Sequence, residues 1–247
     1  EFEVINRHVL KEKMKMEQEG RAAYAQQNQM KLQALQQQFA KIATDAEAKQ
    51  LDLFKKYKDS FVSAFMIASG MQQMDYVSLK TLYDMLGENV QANFYGQLIA
   101  RQLMALKQIE PGSVGPDFQG VTAAGETITL HGVKAKVKLV DFWASWCGPC
   151  RAEMPNMVEI YKDFHAKGLE ILGVSLDRKL EPWKEAIQKD GQSWLHCSDL
   201  KYWQSDIARM YVINTIPQTL VLDENNVIVA RGLRGEELRT KLSELLP

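Results

Sequence analysis

Along residues 1–110 the apolar positions recur at helical spacing. Leu32, Leu35, Phe39 and Ile42 follow one another at intervals of 3, 4 and 3, and Ala46 and Leu53 continue the stripe. That spacing predicts an amphipathic helix packed on a neighbour. Gly20 and Gly70 are expected to interrupt helices, and Asp75 or Ser78 to cap one running to about Leu86. A further helix is predicted from about Gln91 to Lys107, with Phe94, Leu98, Arg101 and Leu106 close together on its surface. Beyond residue 111 the pattern changes to short β-rich runs alternating with helical ones. Lys138–Trp143 and Leu169–Leu176 read as strands, and Cys150–His165 and Glu181–Lys189 as helices. Thr219–Leu222 and Val227–Ala230 read as strands paired around an Asp-Glu-Asn-Asn turn, and Glu236–Leu246 as a closing helix. A β-α-β unit followed by a hairpin and a helix indicates an α/β domain with a mixed sheet.

Composition divides the chain at the same place. All seven prolines, all five tryptophans and all three cysteines lie at or after Pro111, whereas 15 of the 20 glutamines precede it. Proline breaks helices and glutamine tolerates them. Glu110-Pro111-Gly112-Ser113 is therefore the expected stop and linker, separating a helical domain over 1–110 from a second domain over 111–247. The helical part shows no ligand spacing and no glycine-rich phosphate loop. It is expected to serve packing, dimerisation or partner docking; a stripe of about three heptads does not choose between a core and an oligomer.

Charge narrows the partners. Thirty basic and 31 acidic side chains leave a net charge of −1, which argues against a nucleic-acid binder. No apolar run approaches the roughly 18 residues of a membrane span; the best, Phe61–Met71, is short and holds Ser63, Ser69 and Gly70. Three cysteines are too few for a disulfide scaffold.

The chemistry concentrates in Trp146-Cys147-Gly148-Pro149-Cys150, where a predicted strand hands over to a helix. A thiol at a helix N-terminus faces unpaired N–H groups and the positive end of the dipole, and both favour the thiolate. The two-residue spacer lets the second thiol attack a mixed disulfide formed on the first. Cys147 is thus the expected nucleophile and Cys150, one turn inside, the resolving thiol.

These residues also carry a resemblance. Val140-Asp141-Phe142-Trp143-Ala144-Ser145-Trp146-Cys147-Gly148-Pro149-Cys150 is similar to the active-site segment of thioredoxins. Pro155 stands where that family kinks its active-site helix, and Ile216-Pro217-Gln218-Thr219 resembles its cis-proline loop. Gly115-Pro116-Asp117-Phe118, Cys150-Arg151-Ala152-Glu153-Met154-Pro155 and Leu233-Arg234-Gly235 resemble the TlpA/ResA-like branch, exported or membrane-tethered thiol-disulfide oxidoreductases of bacteria. The separation of 67 positions from Cys150 to Pro217 matches the insertion of that branch.

The resemblance implies a thioredoxin-like α/β fold, a mixed central sheet flanked by helices, preceded by an all-α domain. It covers about residues 114–247; residues 1–110 resemble the helical segment before such domains in some exported bacterial proteins. There a β-rich domain commonly comes first, so an N-terminal truncation is expected. A signal or membrane tether is expected outside this chain, with periplasmic or cell-envelope location. The implied activity is reduction of disulfides in exported proteins, re-armed by an upstream thiol donor, with no cofactor beyond the Cys147–Cys150 pair. Asp141 would take the proton of the resolving cysteine if burial raises its proton affinity. Pro217 and Ile216 would hold the client backbone. Trp146, Gly148 and Pro149 would touch the client, with Glu153 as an auxiliary acid.

Competing readings remain at this level. Asp141 can be an ordinary strand carboxylate and Glu153 a solvated helix position. A peroxiredoxin shares the fold, but its peroxidatic cysteine needs Thr or Ser three positions earlier, where Ala144 stands. A partner-binding scaffold with a vestigial redox site is a third alternative. Cys147, Cys150, His196 and Cys197 could in principle make a zinc site, although adjacent ligands are not the usual spacing. Cys197 is otherwise expected to be a buried, unreactive thiol, Trp143 to be core, and one or two of Trp183, Trp194 and Trp203 to rim a client groove.

Overall fold

The computed structural model describes residues 1–247, which form two compact units, Glu1–Ala100 and Arg101–Pro247. The first unit is helical. Helices α1 (Phe2–Ala25) and α2 (Gln29–Lys56) form an antiparallel hairpin, in which the Phe2 and Phe54 ring centroids lie 4.7 Å apart. Asn28 caps α2 by accepting the Lys31 N–H at 3.0 Å. Met16, Ala23 and Ala46 are buried, while Leu32, Leu35, Phe39 and Ile42 are half-buried. Helices α3 (Phe61–Gly70) and α4 (Tyr76–Asp84) follow, capped by Ser60 and Asp75. Next come a single turn, α5 (Glu88–Gln91), and α6 (Phe94–Lys107), whose course crosses the boundary between the units.

Three local expectations differ from the structure. Gly20 does not interrupt a helix; it lies inside α1. One glycine costs a helix only about 1 kcal/mol, which packing along the hairpin overrides. The helix predicted from Gln91 starts instead at Phe94, because the Asn93 side chain accepts the Gly96 N–H at 2.9 Å and restarts the turn. Its buried side carries Ile99, Leu103 and Leu106, leaving Phe94 and Arg101 exposed. The unit boundary falls at Ala100/Arg101, ahead of Glu110-Pro111. Residues after it are tied into the second unit: Gly112 N–H donates to the Ile228 carbonyl at 2.8 Å, and Glu110 pairs with Arg231 at 3.5 Å.

The second unit contains β1 (Gln119–Val121), β2 (Thr127–Thr129), β3 (Val137–Trp143), α7 (Gly148–Phe164), β4 (Leu169–Ser175), α8 (Leu180–Lys189), β5 (Leu195–Ser198), α9 (Asp206–Met210), β6 (Gln218–Asp223), β7 (Ile228–Arg231) and α10 (Gly235–Leu245). The sheet order is β2-β1-β5-β4-β3-β6-β7. Strand β3 runs parallel to β4 and antiparallel to β6, and β4 runs parallel to β5. Every residue of β3 is buried, as expected for a strand in the middle of a covered sheet. The β6–β7 hairpin turns where Asp223 Oδ1 accepts the N–H groups of Asn225 and Val227, at 2.9 and 2.8 Å, with Asn226 in the left-handed region at φ 64°. The central strand therefore ends at the N-terminus of α7, and β6 begins just after the Ile216–Pro217 peptide.

Candidate active site

Cys147 is the N-cap residue of α7, and the Cys150 N–H donates to its Sγ at 3.2 Å. Pro149 in the first turn sacrifices no helical hydrogen bond there. Cys147 and Cys150 form a disulfide. Cys147 is 5% exposed and Cys150 0%, while Gly148 and Pro149 lie in solvent between them. A partner arriving from outside therefore meets the Cys147 sulfur.

The turn before the disulfide is held from two sides. Asp177, just past β4, accepts the Ser145 N–H at 2.9 Å and the Ser145 hydroxyl at 2.6 Å, and also the Ser175 hydroxyl at 2.7 Å. Arg151 donates to the Ser145 carbonyl at 3.1 Å and makes a two-pronged contact with Asp190. Such bidentate pairs fix orientation as well as position.

Asp141 is buried on β3, in register with Gly173 of β4 and Thr219 of β6. It lines a narrow cavity behind the disulfide together with Cys150, Glu153, Pro217 and Arg234. Burial pushes its carboxyl up to about 7, with Glu153 adding to the rise and Arg234 opposing it. Glu153 Oε1 accepts the Gly235 N–H at 3.1 Å and the Asn156 amide at 2.7 Å, so it is a half-buried, engaged carboxylate. The Ile216–Pro217 peptide is cis; Pro217 is buried, and its carbonyl accepts a hydrogen bond from Arg234.

On the outer side, Trp146 is 46% exposed, with ring centroids 5.0 Å from Tyr202 and 6.2 Å from Trp203. The Arg178 guanidinium lies 4.3 Å from the Tyr202 ring centre. Leu200 and Tyr202 adopt φ of 54° and 57°, an uncommon conformation for side-chain-bearing residues. Trp143 and Trp183 are fully buried and Trp194 nearly so.

Cys197 sits buried on β5, where burial pushes its thiol up to about 12. No three His, Cys, Asp or Glu side chains are grouped to hold a metal, so the four-ligand zinc arrangement is not assembled. Sequence reasoning assigned no role to Asp177, Tyr202 or Arg234. Arg234 lies in Leu233-Arg234-Gly235, a stretch that names no partner for it, and Asp177 and Tyr202 lie far from the dithiol in sequence.

Residues 111–231 match the family model described as "AhpC/TSA family". The chain is 43% identical over 143 residues to the thiol-disulfide oxidoreductase ResA of Oceanobacillus iheyensis, covering 55% of this chain and 73% of that protein. The ResA of Geobacillus thermodenitrificans is 27% identical over 177 residues, 70% of this chain and 95% of that one. Among solved structures, the thioredoxin domain of a Bacteroides vulgatus thiol-disulfide oxidoreductase aligns with TM-score 0.53 at 36% identity, over 56% of this chain and 99% of that domain. With its thioredoxin-like sheet and its helix-capping cysteine pair, the chain belongs to the TlpA/ResA-like family of thiol-disulfide oxidoreductases, enzymes that act on disulfide-containing substrates.

Proposed function

We propose that the chain reduces disulfides of exported proteins, with Cys147 as nucleophile and Cys150 as resolving thiol. The Cys147 thiolate attacks a client disulfide, forming a Cys147–client disulfide and expelling the first client thiolate. The Cys150 thiol gives its proton to the Asp141 carboxylate and attacks the Cys147 sulfur, expelling the second client thiolate. The Cys147–Cys150 disulfide is left, and an upstream thiol donor returns two electrons and two protons to it. One observation carries the reading: Asp141, its carboxyl raised to about 7 by burial, lines the same narrow cavity as Cys150, the residue that must lose a proton.

Pro217 and Ile216 are assigned to the client backbone, and Trp146, Gly148 and Pro149 to its side chains. Glu153 is assigned as an auxiliary acid acting on Asp141. The Gly-Pro spacer supports the reducing direction, and family membership supports a bacterial periplasmic or cell-envelope setting. No helix of the chain is long and apolar enough to cross a membrane. The half-buried stripe of Leu32, Leu35 and Phe39 supports a pairing or docking role for the helical part.

Trapping tests the assignment. Cys147→Ser is expected to abolish turnover, and Cys150→Ser to accumulate a client joined through Cys147, read by mass after acid quenching. Equal inertness of the two variants, with no trapped adduct, overturns it.

A further inference from the structure

The cavity behind the disulfide has a wall that the exchange steps above leave without a role. Residues Gly232, Leu233 and Arg234 link β7 to α10 and pass over the start of β6: Gly232 N–H donates to the Thr219 carbonyl at 2.8 Å, and the Thr219 hydroxyl donates to the Leu233 carbonyl at 2.7 Å. Gly232 and Gly235 adopt φ of 69° and 51°, so the segment turns sharply on both sides of Arg234. Three contacts then converge from two consecutive residues. Arg234 donates to the Pro217 carbonyl, its side chain lines the Asp141 cavity, and the Gly235 N–H fixes Glu153.

Asp141 therefore shares its cavity wall with two groups of opposite charge. The ionisable groups around it are Cys150 and Glu153 from α7 and Arg234 from the segment before α10; its neighbours across the sheet, Gly173 and Thr219, bring none. Asp141 itself is buried, so its carboxyl responds to charge on its cavity wall, with Glu153 half-buried there and Arg234 reaching it from an exposed position. Arg234 favours the ionised form of Asp141 and Glu153 opposes it.

We propose that Arg234 is a positioning residue for disulfide exchange, holding the cis-proline loop by the Pro217 carbonyl and setting, as the positive charge opposite Glu153, the working charge state of Asp141. The proposal rests on the reading of Asp141 as proton acceptor for Cys150. Without Arg234 the carboxylate that must receive that proton is already protonated at neutral pH, and client release stalls at the mixed disulfide. The same loss frees the Pro217 carbonyl, so the loop that receives client backbone loosens.

The test uses the full chain and the variants Arg234→Gln, Arg234→Lys and Glu153→Gln, with tryptophan emission confirming the fold of the second unit. Asp141 is titrated directly in oxidised protein by carbon NMR of carboxyl-labelled aspartate. Client release is followed in parallel, as the rate of thiol appearance from a disulfide-bridged peptide across pH. Arg234→Gln is expected to raise the Asp141 midpoint by about one pH unit. The acidic limb of the release profile should move with it, and KM for the peptide should rise severalfold. Arg234→Lys should restore the midpoint to near the parent value, and Glu153→Gln should lower it.

An unmoved Asp141 midpoint in Arg234→Gln overturns the proposal. So does a Lys variant displaced as far as the Gln variant, which would make Arg234 a structural strut only. If the Asp141 midpoint moves while the release profile stays in place, the charge coupling stands and the acceptor role of Asp141 fails.

Discussion

Ser145 gives both its backbone N–H and its hydroxyl to the Asp177 carboxylate, at 2.9 and 2.6 Å. The residue two places before the reactive cysteine is thus clamped to the end of the neighbouring strand. Asp177 is buried and also takes the Ser175 hydroxyl, so removing it leaves several polar groups unpaired in the interior. Asp177→Ala is expected to lower stability by about 3 kcal/mol in urea unfolding followed by tryptophan emission. It should also slow attack on a small disulfide probe at fixed thiolate fraction. Unchanged stability would mean that Ser145 is held by other contacts.

Trp146, Tyr202 and Trp203 form an aromatic shelf beside Cys147, with Trp203 37% exposed. Aromatic surface of this kind rewards apolar side chains arriving next to the target sulfur. In a set of disulfide-bridged peptides, Trp203→Ala is expected to raise KM severalfold for those with Phe beside the cysteine. It should leave peptides with Ser at that place unaffected, and kcat constant in both. An equal change for both peptides would remove the shelf from recognition.

Asp141 makes stability depend on pH. Its carboxyl is raised from 3.8 to about 7 in the folded protein, so between those values the folded state keeps a proton that the unfolded chain has lost. Stability conferred by that retained proton is fully present below about pH 4 and declines as pH rises through 7. A displacement of about three units corresponds to about 4 kcal/mol at most. Asp141→Asn is expected to flatten the profile, gaining stability over the parent at pH 8 and little at pH 4. Tryptophan emission reads this cleanly, because all five tryptophans lie at or after Trp143. Parallel parent and variant profiles would place the Asp141 carboxyl near its ordinary range.

Gly20 offers an independent check on the helical unit. A Cβ added there meets nothing within 4 Å, and the residue lies inside α1. Gly20→Ala is expected to stabilise the hairpin by about 1 kcal/mol. Thermal melts at 222 nm test it, and a lower midpoint would show that α1 needs the glycine.

What was legible in the sequence followed the physics of repetition and punctuation. The strands Val137–Trp143 and Leu169–Ser175 are mostly apolar seven-residue runs, and the Asp75 cap and the Asp223–Asn226 turn are written in side chains that bond their own backbone. The strands β1, β2 and β5 were missed. They are three or four residues long, and Leu195-His196-Cys197-Ser198 carries no period that singles out a strand. The same distinction runs through the site. Cys147, Cys150, Asp141 and Pro217 sit in contiguous motifs, whereas Asp177, Tyr202 and Arg234 reach it by tertiary folding. The start of the last helix of the first part at Phe94 was not legible, because it is set by one side chain, Asn93, bonding the Gly96 N–H.

The third cysteine carries a consequence for fidelity. A thiol-exchange enzyme with a spare thiol risks rearranging its own bonds, diverting electrons meant for a client. Cys197 lies on β5, with the Gly120 backbone so close that an added Cβ would fall 2.7 Å from its sulfur. Its thiol, pushed up to about 12, is essentially never a thiolate at neutral pH, and only the thiolate attacks disulfides. The interior thus insulates the reaction kinetically: Cys147 sits nearest the surface, Cys150 waits behind it, and Cys197 is kept out of the circuit by the packing of the sheet.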